Sequence, residues 1–511
     1  MARKGAPQMN GRTRNAPPRA GAMMEALRGL GYSTAAALAD IVDNSVSAGA
    51  GEVHIEFAWA GAASRISVLD DGRGMDDAEL ESAMTLGDKS PLDDRAADDL
   101  GRFGMGLKTA SFSQCRRLTV ASLRERGTPC CLRWDLDALA ARPEEGWLLF
   151  EEPAAGSEAF LEPLSGRGKG TLVLWEVLDR VVTEGFTTDD FADLIDGVEA
   201  RLAMVFHRML QGPRSTLRLL LNGRPVAPWD PFMSGHPAKP WESPVARQAT
   251  GSGPVEIACH VLPHRDLLTP DEYERAGGPE GWTAQQGFYV YRNRRLLLAG
   301  GWLGLGQGRV WNREEAHRLA RVRLDIPNTA DADWKIDIRK STARPPVSLR
   351  SWLTWLAGDT RERARRVFAY RGSPGPGPGG TPVEQAWRVE HSRSGMRYRI
   401  DGKHPAVAAV TDAAGPLLPL VNAMLSVVEE TVPVQRIWLD TAENRETPRT
   451  GFYGAPPEQV VSILGTLFED MVGRRGMSPA AAKRTLAGTE PFQNYPELVA
   501  ALPDGPGREA K

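Results

Sequence analysis

Residues Gly101-Arg102-Phe103-Gly104-Met105-Gly106 place three glycines in six positions, and Leu107-Lys108 then leads into the helical-looking stretch TASFSQC. Such a run shapes a backbone cradle. Glycine allows tight turns, and the start of the next helix presents unpaired N–H groups and the positive end of the helix dipole. Phosphates bind at such places. The order GxxGxGxK is neither the GxxxxGK[ST] of a P-loop nor the strand-fed GxGxxG of a dinucleotide fold. A phosphate ligand is therefore indicated, while the two commonest phosphate-binding folds are excluded.

Three further segments bear on the same ligand. In Asp40-Ile-Val-Asp43-Asn44-Ser-Val-Ser47, positions 40, 43, 44 and 47 share one helical face. Taken alone, such a stripe is readily a solvated face. Alternatively, Asp40 and Asn44 meet one ligand, because a carboxamide oxygen suits Mg²⁺ and a carboxylate one turn earlier can orient a water. In Val68-Leu69-Asp70-Asp71-Gly72-Arg73-Gly74-Met75, a strand delivers Asp70 into a glycine turn. A buried Asp there can accept an exocyclic amine, and glycines let backbone approach a base. The bland alternative is a turn that ends a hairpin. Gly168-Lys169-Gly170-Thr171 precedes the apolar strand LVLWEV and alone reads as a turn.

In this order, the segments DIVDNSVSAGA, DDGRGM, GRFGMGLKTAS and GTLVLW resemble the GHKL superfamily of gyrase-type topoisomerases, heat-shock-90 chaperones, histidine kinases and MutL. The wording is most similar to the microrchidia (MORC) branch and its bacterial relatives, over about residues 22–180. The resemblance implies a Bergerat-type α+β sandwich that binds ATP with Mg²⁺. It puts Asp40 where most hydrolysing members carry the water-activating Glu, and Asn44 at the Mg²⁺ position. Asp70 falls at the adenine-reading position, with Gly72, Gly74 and Met75 lining the base pocket. Gly101, Arg102, Phe103, Gly104, Met105, Gly106, Leu107 and Lys108 form the phosphate loop. Thr171 supports the adenine contact, and residues 87–100 form a lid. The sequence departs in two places: Asp40 is one methylene shorter than Glu, and Ser47 stands where an Asp is frequent.

The pattern predicts a basic N-terminal arm over 1–21, mobile in isolation, and the ATP-binding domain over 22–184. Within that domain the expected strands are 52–57, 65–69, 118–123, 131–134 and 170–177, with helices before Gly29–Gly31, after Ser33 and over 76–84. A transducer-like β-α-β unit is expected over 185–370. It comprises a helix from FADLIDG, a hairpin at Asn222–Gly223, a paired segment GFYVYRNRRLLL, a helix near 313–320, strands at 321–326 and 334–338, and a basic helix over 348–371. The resemblance implies that this unit returns a cation to the γ-phosphate. Within Asp333-Trp-Lys335-Ile-Asp-Ile-Arg-Lys340, Lys340 is the first choice and Lys335 the second. Residues 287–371 hold 18 Lys/Arg against 8 Asp/Glu. That excess suits either a sequence-independent DNA contact or a set of solvated helix faces.

RGSPGPGPGGTP makes 371–383 a linker, and 384–511 a helix-rich module whose stripes read as core or as a groove for a partner protein. A hairpin is expected there with Asp401-Gly402 as its turn. Its histidines show no metal-ligand spacing. The net charge of −3 makes the whole chain no polycation, and four cysteines without a CxxC fit a reducing cytoplasm. No apolar run is long enough for a membrane span, and the N-terminus lacks a signal-peptide apolar region.

The sequence supports two functional expectations. The first is an Mg²⁺-dependent ATPase that hydrolyses slowly and closes as an ATP-gated homodimeric clamp on DNA or a partner complex. By analogy, that extends to bacterial defence. The second is a non-hydrolysing ATP-switched scaffold whose C-terminal module recruits a partner.

Overall fold

Val53, Ile55 and Phe57 alternate with polar neighbours, and that alternation makes Glu52–Ala58 (β1) a strand with one buried face. In the computed structural model, which describes residues 18–29, 31–88, 106–213, 215–331, 333–337, 342–369, 384–392, 395–434, 437 and 458–504, β1 lies inside a seven-stranded sheet. Its other strands are Arg65–Asp70 (β2), Arg117–Leu123 (β3), Cys130–Asp135 (β4), Gly170–Glu176 (β5), Arg218–Leu221 (β6) and Arg224–Pro225 (β7), in the order β4-β3-β5-β2-β1-β6-β7. All neighbours are antiparallel except β1 and β6, which run parallel.

Ala20–Arg28 (α1), Thr34–Ser47 (α2), Asp77–Met84 (α3), Gly106–Phe112 (α4) and Thr188–Val205 (α7) accompany this sheet, with Leu136–Ala141 (α5) and Glu162–Arg167 (α6) shorter. Ser33 caps α2, accepting from Ala36 N at 3.3 Å, and Asp76 with Glu79 forms a capping box on α3. The main core gathers Leu38, Ile41 and Val42 of α2 with Val53, Ile55, Ile66, Val120 and Trp175 of the sheet. A smaller cluster of Leu69, Leu123, Leu164, Leu172 and Leu174 lies apart from it. The result is a mixed α/β sandwich.

The Asn222–Gly223 turn forms with φ of 46° and 76°, yet its strands join the first sheet. Residues 188–226 therefore belong structurally with the first sheet, although local pattern groups them with the second. A hairpin is a local property; the sheet it pairs with is not.

The second sheet holds Trp241–Glu242 (β8), Ala246–Thr250 (β9), Gly253–Val261 (β10), Gly287–Arg292 (β11), Arg295–Ala299 (β12) and Ala320–Asp325 (β15), with β13 (Gly306–Gln307) and β14 (Arg309–Val310) as a separate ribbon. Its order is β12-β11-β15-β10-β8, with β9 on β10. His207–Leu210 (α8) and Pro270–Gly277 (α9) precede Val347–Ala369 (α10), whose Leu349, Leu353, Ala357 and Ala364 pack into this sheet's core.

Two local expectations are corrected here. Near 313–320 the structure has only a 3₁₀ turn, Glu315–His317. The strand expected over 334–338 does not form over its described residues, 334–337. Trp334 and Ile336 instead plug into the core from a turn, with Trp334 N bonded to Ala330 O at 3.0 Å, so their alternation reports burial without pairing.

A division at Ala369/Tyr370 separates a second compact unit. Taken by itself, it contains the hairpin Trp387–Ser392 (β16) with Gly395–Ile400 (β17) and helices Pro405–Ala413 (α11), Leu418–Glu430 (α12), Glu458–Glu469 (α13), Pro479–Ala487 (α14) and Pro496–Ala500 (α15). The hairpin reverses between Ser392 and Gly395, correcting the Asp401-Gly402 expectation. Val460, Leu464, Phe468, Leu486 and Phe492 form the core, whereas α12 buries none of its residues. Among the described residues no single helix is long and apolar enough to cross a membrane. α11 and the segment through α12 reach that length only together, across a bend of 109°.

Candidate functional site

Asp70 ends β2 near the middle of the first sheet and is 5% exposed. Its Oδ1 accepts from Gly72 N at 2.9 Å and Thr171 N at 3.2 Å, and its Oδ2 from Ser45 Oγ at 2.8 Å. A turn, a neighbouring strand and α2 thus converge on one carboxylate. Burial raises this carboxyl above the ordinary range, partly offset by the bonds from Ser45, Gly72 and Thr171. Such an acceptor holds a fixed orientation and keeps lone pairs for an amine donor.

The backbone around it packs at close approach. Gly170 has φ 132°, and a Cβ there would lie 2.0 Å from Asp70 O. Gly74 has φ 68°, and its Cβ would lie 2.0 Å from Leu123 O. Ser122 Oγ accepts from Met75 N at 2.8 Å and shares a hydrogen bond with Thr171 Oγ1 at 2.9 Å, tying the glycine turn to β3 and β5. Arg73 N bonds to Ala48 O at 3.0 Å, which fastens the same turn to the end of α2. Gly74→Ala is therefore expected to cost at least about 2 kcal/mol of stability. Urea unfolding of wild type and variant checks this, and an unchanged midpoint contradicts it.

On α2, Asp40 is 6% exposed, and its Oδ2 accepts from Tyr32 Oη at 3.1 Å. Burial and the adjacent Asp40 charge raise the Tyr32 phenol well above its usual range, so it stays a donor. Asn44, one turn on, is exposed. The expected polar stripe is thus divided. Asp40 and Asp43 are buried, Asn44 and Ser47 face outward, and Ser45, which the stripe omits, holds Asp70.

The glycine loop's Gly101, Arg102, Phe103, Gly104 and Met105 lie outside the described residues, as does most of the lid. Gly106 and Leu107 begin α4, with Leu107 packed against the core. Lys108 is 1% exposed, and its Nζ donates to Ala83 O at 2.9 Å and Thr85 O at 2.7 Å. Carbonyls at the end of α3 need donors, and this ammonium supplies them, so Lys108 ties α4 to the end of α3.

Lys340 also lies outside the described residues. Lys335 is exposed, in a turn at φ 50°. Between them, Asp337 accepts from Thr342 N at 2.9 Å, and its charge contributes to the raised Tyr32 phenol. Asp337 is therefore close enough to Tyr32 for its charge to be felt there.

Residues missed by sequence reasoning are Tyr32, Ser45, Ser122 and Arg295. Arg295 is 4% exposed and donates from Nε to both oxygens of Asp43 at 3.1 Å. Its signal was the Asn293–Arg294 turn inside YRNRRLLL, where φ of 47° and 67° folds an apparent single strand into a hairpin.

Comparison with known proteins agrees with this geometry. Residues 32–171 match the family described as histidine kinase-, DNA gyrase B- and HSP90-like ATPase. The chain is 32% identical over 89 residues to the ATPase morc-1 of Caenorhabditis elegans, a match spanning 17% of this chain and 10% of that protein.

Proposed function

We infer that this chain, whose residues 32–171 are an ATPase domain of the GHKL type, is an ATP-driven switch that hydrolyses its nucleotide slowly. The observation that carries the reading is Asp70: a buried carboxylate with three protein donors already in place, beside glycines that let backbone approach closely. Such an acceptor suits the exocyclic amine of adenine. Calorimetric titration of the full chain with ADP and a non-hydrolysable ATP analogue tests it. Binding with strong preference over guanine nucleotides is expected, and absence of heat with adenine nucleotides overturns it.

The residues present fit Mg²⁺. Asn44 is exposed one turn from Asp40, and among the described residues its carboxamide makes no hydrogen bond. Mg²⁺ is commonly held by few protein ligands together with substrate phosphates. When bound, the ion neutralises phosphate charge. Asn44 would hold it, while Asp40 orients and deprotonates the attacking water. A cation from the 333–342 segment, with Lys340 the first choice, stabilises charge developing on the phosphoryl group.

Closure results if ATP binds the closed state better than the open one. We place the closed state in a two-fold dimer acting on DNA or a partner complex in the cytoplasm, with the exposed arginines of the 287–371 stretch, such as Arg309, Arg350, Arg363 and Arg366, on the substrate side. Native mass should double with the ATP analogue and return to monomer with ADP. A mass that ignores nucleotide removes the clamp from the proposal.

Two observations favour the scaffold reading. Both Asp40 oxygens are already engaged by protein groups, and α12 leaves Leu420, Met424 and Val427 exposed for a partner. Turnover measurements on Asp40 variants separate the two readings.

A further inference from the structure

Arg295 opens β12 of the second sheet, yet its guanidinium is spent on α2 of the ATP-binding layer. Nε meets both Asp43 oxygens at 3.1 Å, and Nη2 lies 3.1 Å from Asp43 Oδ2 and 3.6 Å from Asp40 Oδ1. Nη1 donates to Leu296 O at 2.8 Å. All three charged side chains are nearly closed to solvent, with Arg295 at 4%, Asp43 at 2% and Asp40 at 6% exposure. Two carboxylates one turn apart and so deeply buried repel each other. A guanidinium between them offsets that repulsion and fixes their orientation.

The surrounding seam gives this fork more weight. Beside it lies a cavity of about 440 Å³ lined by Tyr32, Ser33, Arg201, Met204, Gln285 and Ala299, residues drawn from both layers. Packing is incomplete there, so a directional polar bond, and not close packing, sets how β12 meets this part of α2. Tyr32, which lines the cavity, is also the donor to the other Asp40 oxygen.

We propose that Arg295 is a positioning residue for ATP hydrolysis. Arriving from the second sheet, it fixes the Asp43–Asp40 face of α2, so that Asp40 is set for water only while that sheet is docked. This rests on the reading of Asp40 as the base. Asp70 takes its three donors from Ser45, Gly72 and Thr171, not from Arg295, so nucleotide affinity is separate from this control.

The test uses the full chain and compares kcat, KM and calorimetric affinity for an ATP analogue. Arg295→Ala should lower kcat at least about 30-fold, since small misplacements of a reacting group are that costly. Affinity should change less than about 3-fold, the Asp70 contacts being intact. Arg295→Lys, which keeps charge without the fork, should recover part of the loss. Millimolar guanidinium should restore turnover to Arg295→Ala and leave Asp40→Asn inactive. If Arg295→Ala does not fold, Arg295→Lys and Asp43→Asn carry the same expectation of a selective kcat loss.

Unchanged kcat in these variants overturns the proposal. So does an equal loss of affinity and turnover with no guanidinium rescue, the signature of a mere structural prop. If wild-type turnover proves independent of Asp40, the base reading falls and takes this inference with it. If turnover depends on Asp40 and ignores Arg295, only this inference falls.

Discussion

Asp70→Asn should weaken adenine-nucleotide binding at least about 100-fold while leaving the domain folded, because losing a hydrogen bond to a charged acceptor and opposing donor to donor costs roughly 3 kcal/mol. The side-chain shape is kept. The amide oxygen can still accept from Gly72 N and Thr171 N, and the Ser45 hydroxyl can turn to accept from the new NH₂ group. What is lost is the acceptor offered to an amine, so a 6-oxo purine nucleotide should gain relative to ATP. Titration of both nucleotides against wild type and variant reads this directly. Retained ATP affinity with a folded variant would remove Asp70 from the base pocket.

The same residue gives a pH signature. Burial raises the Asp70 carboxyl, so it loses its charge at a higher pH than an exposed carboxylate, and affinity for adenine nucleotides should begin to fall there. Stability of the empty protein moves the other way. A group whose folded-state pKa lies above its unfolded value binds protons on folding, so its contribution to stability rises as pH falls through that window. Subtracting the Asp70→Asn profile from that of wild type isolates this contribution from the other carboxylates. A difference that rises with pH contradicts the assignment.

What sequence reasoning could see was set by how local the cause is. Asp70 was legible because a strand, a carboxylate and a glycine turn sit side by side in the chain, whereas Gly170–Thr171 alone reads as a turn and drew notice only through the resemblance, since the approach of Gly170 to Asp70 is not local. Capping of α2 by Ser33 and of α14 by Ser478 is equally local. The partition of α2 was not legible. Whether Asp43 faces water or a guanidinium depends on Arg295, 252 positions later. The carbonyls that Lys108 meets were not legible for a related reason. Its place after three glycines suggests phosphate, and nothing nearby announces Ala83 O and Thr85 O, 25 and 23 positions earlier. The second sheet's edge likewise escaped, because alternation at Trp334 and Ile336 signals two buried side chains without specifying a pairing partner.

Asp40→Asn should lower turnover at least about 100-fold, the lower range for removing a general base, while ATP-analogue affinity stays within a few-fold. The reason is geometric. Tyr32 donates to Oδ2 at 3.1 Å and Arg295 stands 3.6 Å from Oδ1, so the carboxylate is held from both sides. An amide cannot serve both neighbours. Its NH₂ group must face either a phenol proton or a guanidinium, and it is no base in either orientation. Asp40→Glu separates reach from chemistry. The added methylene carries the carboxylate outward while keeping its charge, and Glu is what most hydrolysing members of the superfamily this chain resembles carry here. If the short side chain limits the wild-type rate, Asp40→Glu turns over faster than wild type. If the Tyr32–Arg295 cradle is tuned to Asp, the longer residue loses both contacts and falls below it. Phosphate release from all three proteins at saturating ATP decides between these outcomes. Equal turnover in all three would leave the nucleotide as a conformational signal, with Asp40 serving only to anchor α2 to Tyr32 and Arg295.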